Sequence, residues 1–197
     1  MRRVRQAPSL RSERIFRCIL RQLAWARHQG VRVVHYSVQH DHLHLIVEGT
    51  DRLDISSQMR KLFSRVARAV NSIAQRRGSL FRDRHHRVEL NCPTKARNAL
   101  VYVLFNDRKH HAQNGGAISE AFWNDLDDRT SIAWLAPVDW DPRARPPPDF
   151  IARLRARDSD IDGLGAARSA PRTWFAQAGW RIRGGGRLSL YELPRFL

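Results

Sequence analysis

Between Gly30 and Gly49 the apolar residues recur with period two, and on both sides of that stretch they recur with period 3.6. Upstream, Ile15, Phe16, Ile19, Leu20 and Leu23 mark one face of a helix over residues 12–29, with Ser12 placed to cap it and Gly30 to stop it. Residues 31–38 are rich in β-branched side chains and read as a strand. Residues 42–48 read as a second strand, and the turn through Gln39, His40 and Asp41 joins the two as a hairpin. Downstream, Ile55, Met59, Leu62, Phe63, Val66, Val70 and Ile73 form the stripe of a long helix over 55–77, ended by Gly78.

The remainder extends this alternation. Residues 80–90, dense in charge, read as a third strand. Thr94 is placed to cap a helix whose inner side is Ala99, Leu100, Val103 and Leu104, and Asn114-Gly115-Gly116 closes the compact region. The order helix, strand, strand, helix, strand, helix predicts an α+β fold. It is that of a ferredoxin-like βαββαβα sandwich lacking its first strand, with an extra C-terminal tail. Met1–Arg5 reads as the end of that strand, so the reading frame is expected to continue upstream of Met1 with alternating apolar residues. Three regions are predicted: a compact main domain over 1–125, a Pro-rich linker over 126–150 and a tail over 151–197.

Charge narrows the function. The chain of 197 residues carries 35 Lys and Arg against 19 Asp and Glu, a net charge of +16. Such a surplus attracts polyanions, and nearly all of it is arginine, since Lys61, Lys95 and Lys109 are the lysines. The outer face of the long helix presents Arg60, Lys61, Arg65 and Arg68, suited to a phosphate backbone. Two cysteines, Cys18 and Cys92, give no disulfide framework, and no run approaches a membrane span or a signal peptide. A cytoplasmic protein is expected.

Two patterns carry chemistry. On a strand, His42 and His44 project to one side about 7 Å apart along the chain, while Leu43, Leu45 and Val47 face the other way. Two imidazoles so placed can share a divalent cation, although a plain surface pair has the same spacing. On the second short helix Tyr102 lies on the polar side with Asn98, Asn106 and Lys109, followed by Arg108, His110 and His111. That face is set towards an anion. A tyrosine packed at the edge of the core is the alternative. The adjacent pairs His85-His86 and His110-His111 diverge too far to chelate one ion and read as phosphate contacts or surface.

Four stretches, in order, resemble the single-tyrosine HUH transposases, in particular the REP-associated tyrosine transposases. Residues 36–48, Tyr-Ser-Val-Gln-His-Asp-His-Leu-His-Leu-Ile-Val-Glu, are similar to the HUH strand, and residues 65–71 to the middle helix. Residues 78–84 are similar to the Gly-hydrophobic-aromatic strand, and Tyr102-Val103-Leu104-Phe105-Asn106 to the Tyr-x-x-x-Asn helix. Where that family carries Asn-Pro, Asn106 is followed here by Asp107. The resemblance implies that His42 and His44 bind Mg²⁺ or Mn²⁺. It makes Tyr102 the nucleophile and Asn106 a further ligand or orienting group, with Arg60, Lys61, Arg65, Arg68, Arg108 and Lys109 on the DNA. It also implies a homodimer acting on single-stranded DNA, hairpin-forming strands included, through a 5′-phosphotyrosine intermediate. The alternative is a domesticated DNA-binding protein of the same fold that no longer cuts. An RNA-binding module ranks last, because the strands lack the aromatic pattern used for base stacking.

Overall fold

The computed structural model describes residues 2–82, 85–113, 115, 123 and 126–194. Among these, α1 (Glu13–His28) leads into β1 (Arg32–Val38) and β2 (Leu43–Glu48), followed by α2 (Arg52–Ile73), α3 (Pro93–Leu104) and α4 (Asn106–Gln113). Short 3-10 turns at Ile132–Trp134 and Pro137–Asp139 precede α5 (Pro148–Ser159). A π-helical turn, Phe175–Gly179, then runs directly into α6 (Trp180–Arg183). No helix among the described residues is long and apolar enough to cross a membrane.

The predicted stripe of α1 is buried, and Gly30, at φ +82°, takes the left-handed conformation that ends the helix. Ser12 occupies the N-cap position without capping; its hydroxyl donates to the Ser9 carbonyl instead. α2 starts earlier than its apolar stripe suggests. Asp51 caps it, accepting from the backbone N–H groups of Leu53 and Asp54. α3 starts at Pro93, with Cys92 rather than Thr94 in the capping position.

β1 and β2 pair antiparallel as a two-stranded sheet, with a bulge between Val33 and His35. Val33, Tyr36, Val38 and Leu43 join α1 and α2 in one apolar cluster, against which Leu45 and Val47 pack. Val34 and Ile46 face the other way, into a cluster with Ala96, Ala99, Leu100, Val103 and Leu104 of α3. The bulge lets the neighbours Val33 and Val34 serve opposite cores.

The structure is thus α+β with a two-stranded sheet, beside which the described residues form isolated bridges. Arg2 bridges His42, and Arg3 bridges Phe81, both antiparallel. Among the described residues, the strand predicted over 80–90 does not form. After the bridge at Phe81, residues 85–90 carry no regular structure, and their exposed charges leave no apolar face to seat a strand. Asp83 and Arg84 of that stretch, and Asn114 and Gly116 of the predicted stop, lie outside the described residues.

The stretch expected as a linker is packed instead. Ile132, Ala133, Leu135 and Trp140 are buried in the α3 cluster with Leu154, Trp180 and Leu188. Residues 129–131 also run along the outer edge of β1, where the Val38 N–H donates to the Arg129 carbonyl and the Ser131 N–H to the Tyr36 carbonyl. Sheet edges need such cover, and here the C-terminal segment supplies it. Three side-chain contacts fix the arrangement: Arg11 with Asp127 (2.7 Å), the Tyr36 hydroxyl donating to Asp158 (2.8 Å), and Arg157 with Asp158 (2.6 Å).

Candidate active site

His42 and His44 do converge. Their Nε2 atoms are 2.8 Å apart and their rings meet edge to face, with centroids separated by 4.5 Å. The Nδ1–H of His42 donates to Asp41 at 2.6 Å. In the neutral ring this leaves a lone pair on His42 Nε2, directed at His44. Burial pulls the Asp41 carboxyl upward. The bond and charge of His42, with the charge of Arg2, outweigh it and hold the group below the usual carboxylate range. Asp41 was read from sequence as a turn residue. Its position beside the first histidine was the available signal.

The helix carrying Tyr102 is broken where the sequence suggested continuity. α3 ends at Leu104, Phe105 turns away to pack edge-on against Trp140, and α4 starts at Asn106. Of the residues expected on one face, Lys109 still meets Tyr102 across the break, whereas Asn106 is buried. Tyr102 sits edge to face against His44, ring centroids 4.9 Å apart, and the Lys109 ammonium lies 4.6 Å from the Tyr102 ring centroid. Asn106 is buried, 1% exposed, and neither atom of its amide has a hydrogen-bond partner among the described residues.

His44, Tyr102 and Lys109 line a groove of about 720 Å³. Residues 85–91, including His85 and His86, line it as well, together with the apolar Met59 and Phe63 of α2 and Ala99 and Val103 of α3. His85 stacks nearly parallel on Phe63. Thr173, Phe175 and Ala176 of the tail, which no sequence pattern joins to the histidines, line it too, with Glu48 at the end of β2. Glu48 accepts from the backbone N–H groups of Arg172 and Thr173 and from the Thr173 hydroxyl (2.7 Å). These bonds, with that from Arg32, outweigh the upward pull of burial and lower the Glu48 pKa.

The expected DNA contacts divide. Arg60, Lys61 and Arg68 are exposed on α2. Arg65 leans back on α1, its guanidinium 3.7 Å from the Trp25 ring centroid and bonded to Gln22. Arg108 is not on the surface at all. It is 1% exposed, donates to the carbonyls of Leu190 and Trp123, and lies over the rings of Phe105 and Trp123. It ties α4 to the tail, a role that its place in a run of basic residues concealed.

Residues that could hold a divalent cation are the two imidazoles, with Asp41 fixing the tautomer of His42 as outer-sphere carboxylates commonly do. Among the described residues no group of three or more His, Cys, Asp or Glu side chains gathers around one point. The donor set therefore fits a cation completed by water, an amide or a phosphate oxygen.

Residues 10–88 match the family described as transposase IS200 like. No curated protein and no solved structure matches the chain. The matched segment spans α1, the hairpin with both histidines, and α2, and it stops before α3. Tyr102 thus enters the site through the fold and not through the match. Over residues 10–88, this chain is similar to the IS200-like transposases.

Proposed function

We propose that this protein is a single-strand DNA endonuclease and strand transferase in which the Tyr102 hydroxyl attacks a DNA phosphodiester. The observation that carries this reading is the seating of Tyr102 against His44, with Lys109 over its ring. An ordinary phenol has a pKa near 10 and is a poor nucleophile until deprotonated. The Lys109 ammonium stands over the ring that carries the attacking oxygen. Attack forms a bond from Tyr102 oxygen to phosphorus and breaks the bond from phosphorus to the 3′-oxygen. The phenolic proton is released and the departing oxygen takes one up as a 3′-hydroxyl. The DNA remains on the protein as a 5′-phosphotyrosine, so the reverse attack by a 3′-hydroxyl rejoins a strand without further energy input.

His42 and His44 are the ligands for Mg²⁺ or Mn²⁺ in this reading, and the buried amide of Asn106 is the further polar group. A bound divalent cation would neutralise charge on the phosphate whose phosphorus is attacked. Asp41 keeps the His42 Nε2 lone pair turned to that place. The resemblance to HUH transposases supports a homodimer as the acting unit.

The test is a covalent adduct. Full-length protein incubated with single-stranded DNA and Mg²⁺ or Mn²⁺ should give a denaturant-resistant protein–DNA band, and the nucleotide should map to the peptide containing Tyr102. Tyr102→Phe keeps the ring and its packing but removes the attacking oxygen, so DNA binding should persist and the band should vanish. An adduct mapped to Tyr36 or Tyr191 would sink the assignment. A wild-type protein that binds DNA but never forms an adduct would instead be a DNA-binding protein that does not cut.

A further inference from the structure

Trp140, Trp174 and Trp180 all belong to the C-terminal region, but their surroundings differ. Trp140 and Trp180 are 3% and 1% exposed, core residues of the α3 cluster. Trp174 is 46% exposed and sits between Thr173 and Phe175, both of which line the groove that holds His44 and Tyr102.

Its position is built. Glu48 anchors the backbone just before it through the N–H groups of Arg172 and Thr173, so the tail is tied to the strand that carries His44. The π-helical turn that follows brings Gly179 under the indole. A Cβ at Gly179 would stand 2.5 Å from the ring carbons Cε3 and Cζ3. Only glycine therefore lets the ring rest on the backbone there. π-helical turns of this kind are rare and recur at functional sites. Phe175 supports the indole from the side, with centroids 5.6 Å apart, and the exposed Arg172 precedes it in the chain.

An exposed, backed indole between two residues that line a groove, in a chain of net charge +16, suits one ligand chemistry above others. Unpaired bases present flat π-faces that stack on aromatic rings, while duplex bases hide theirs. We infer that Trp174 is a stacking platform for a base of single-stranded DNA entering the groove, with Arg172 against the neighbouring phosphate. The assignment rests on the proposed function for its ligand, but not on the chemistry at Tyr102.

The test uses full-length protein, a fluorescein-labelled single strand and a duplex of equal length. Trp174→Ala should weaken single-strand binding by roughly tenfold or more, as loss of one stacked base does. Trp174→Phe should keep most of the affinity. Neither change should alter the duplex affinity, the slope of affinity against salt, or the melting temperature. Single-strand binding by Trp174→Ala equal to wild type would overturn the assignment, as would equal losses on single strand and duplex. Wild-type protein that binds no single strand would overturn both this and the proposed function. Intact binding without a covalent adduct would defeat only the role of Tyr102.

Discussion

The two faces of the β1–β2 hairpin are built from the same strands by different means. The face towards α1 and α2 is apolar: Val33, Tyr36, Val38, Leu43, Leu45 and Val47 pack against helices close by in the chain. The other face mixes Val34 and Ile46 with His35, Ser37, His44 and Glu48, and its partners come from far downstream. His35 bonds Ser131, Ser37 bridges Thr130, His44 meets Tyr102, and Glu48 caps the turn at Thr173. Polar side chains on a covered face need partners, because leaving them unbonded costs more than the bond gains. One face therefore holds the hairpin together, and the other is a site only once residues from α3 onward have docked.

The sharpest way to break this contrast is to mutate one strand on its two sides. His44→Ala, and likewise His42→Ala, should abolish metal-dependent cleavage while leaving most DNA affinity and the melting temperature nearly unchanged. Leu43→Ala, on the apolar face, should lower stability by about 2–5 kcal/mol. Full cleavage by both histidine variants would remove them from the chemistry.

A slightly smaller effect tests how firmly the downstream chain is part of the fold. Asp158 is fully buried, accepts from the Tyr36 hydroxyl and pairs with Arg157. Burial and the charge of Asp158 push the Tyr36 phenol well above its usual range, so it serves as a donor and not as a second nucleophile. Asp158→Ala strands both partners and should cost about 3–5 kcal/mol by denaturant unfolding. Tyr36→Phe, which removes one donor, should cost about 1–2 kcal/mol. A near-neutral Asp158→Ala would mean that residues beyond 126 are an appendage after all.

The apolar face was legible because period-two alternation and the 3.6-residue stripes of α1 and α2 are short-range patterns. The histidine pair was legible for the same reason, since alternation alone puts His42 and His44 on one side. The break at Phe105 was hidden. Nothing in Tyr102-Val103-Leu104-Phe105-Asn106 forbids a continuous helix, and Phe105 leaves it to fill a space beside Trp140, 35 positions on. Arg108 misled for a related reason: composition marks a basic run but not the carbonyls of Leu190 and Trp123 waiting for one member of it. The tail's Pro-rich composition concealed the buried Ile132, Ala133 and Trp140 on either side of Pro137.

Acid titration separates the faces again. Burial and the charge of Arg168 lower the His35 pKa from 6.5 to about 3. Between those values the unfolded chain binds a proton that the folded chain refuses, so the stability it contributes is lost as pH falls through that window. Asp107 works in the opposite sense. Burial and the like charge of Asp127 raise it from 3.8 to about 6, so the folded chain holds the proton more tightly. Its effect is a stability that declines as pH rises from about 4 to 6 and stays lower above. Asp107→Asn should therefore stabilise the protein at pH 7 by about 2–3 kcal/mol and make no difference at pH 3. Equal stability of the two proteins at pH 7 would refute the raised carboxyl.

The smallest expected effects lie on the helix that both faces leave to solvent. Arg60, Lys61 and Arg68 are exposed along one side of α2, whereas Arg108 is enclosed by the tail. A phosphate contact contributes by releasing a counterion, so losing one reduces the slope of log affinity against log salt by about one and weakens all sequences alike. Arg60→Gln, Lys61→Gln and Arg68→Gln should each show that signature, a few-fold loss at physiological salt with an unchanged melting temperature. Arg108→Gln should show the reverse, because its guanidinium is buried and bonds two carbonyls: a lower melting temperature, with the salt slope of the folded protein intact. Arg65→Gln belongs between them, since its guanidinium stacks on Trp25 while part of it still reaches solvent. If Arg108→Gln alone flattened the salt slope, the enclosed arginine would have to open onto DNA, and the tail would be a mobile cover instead of a wall.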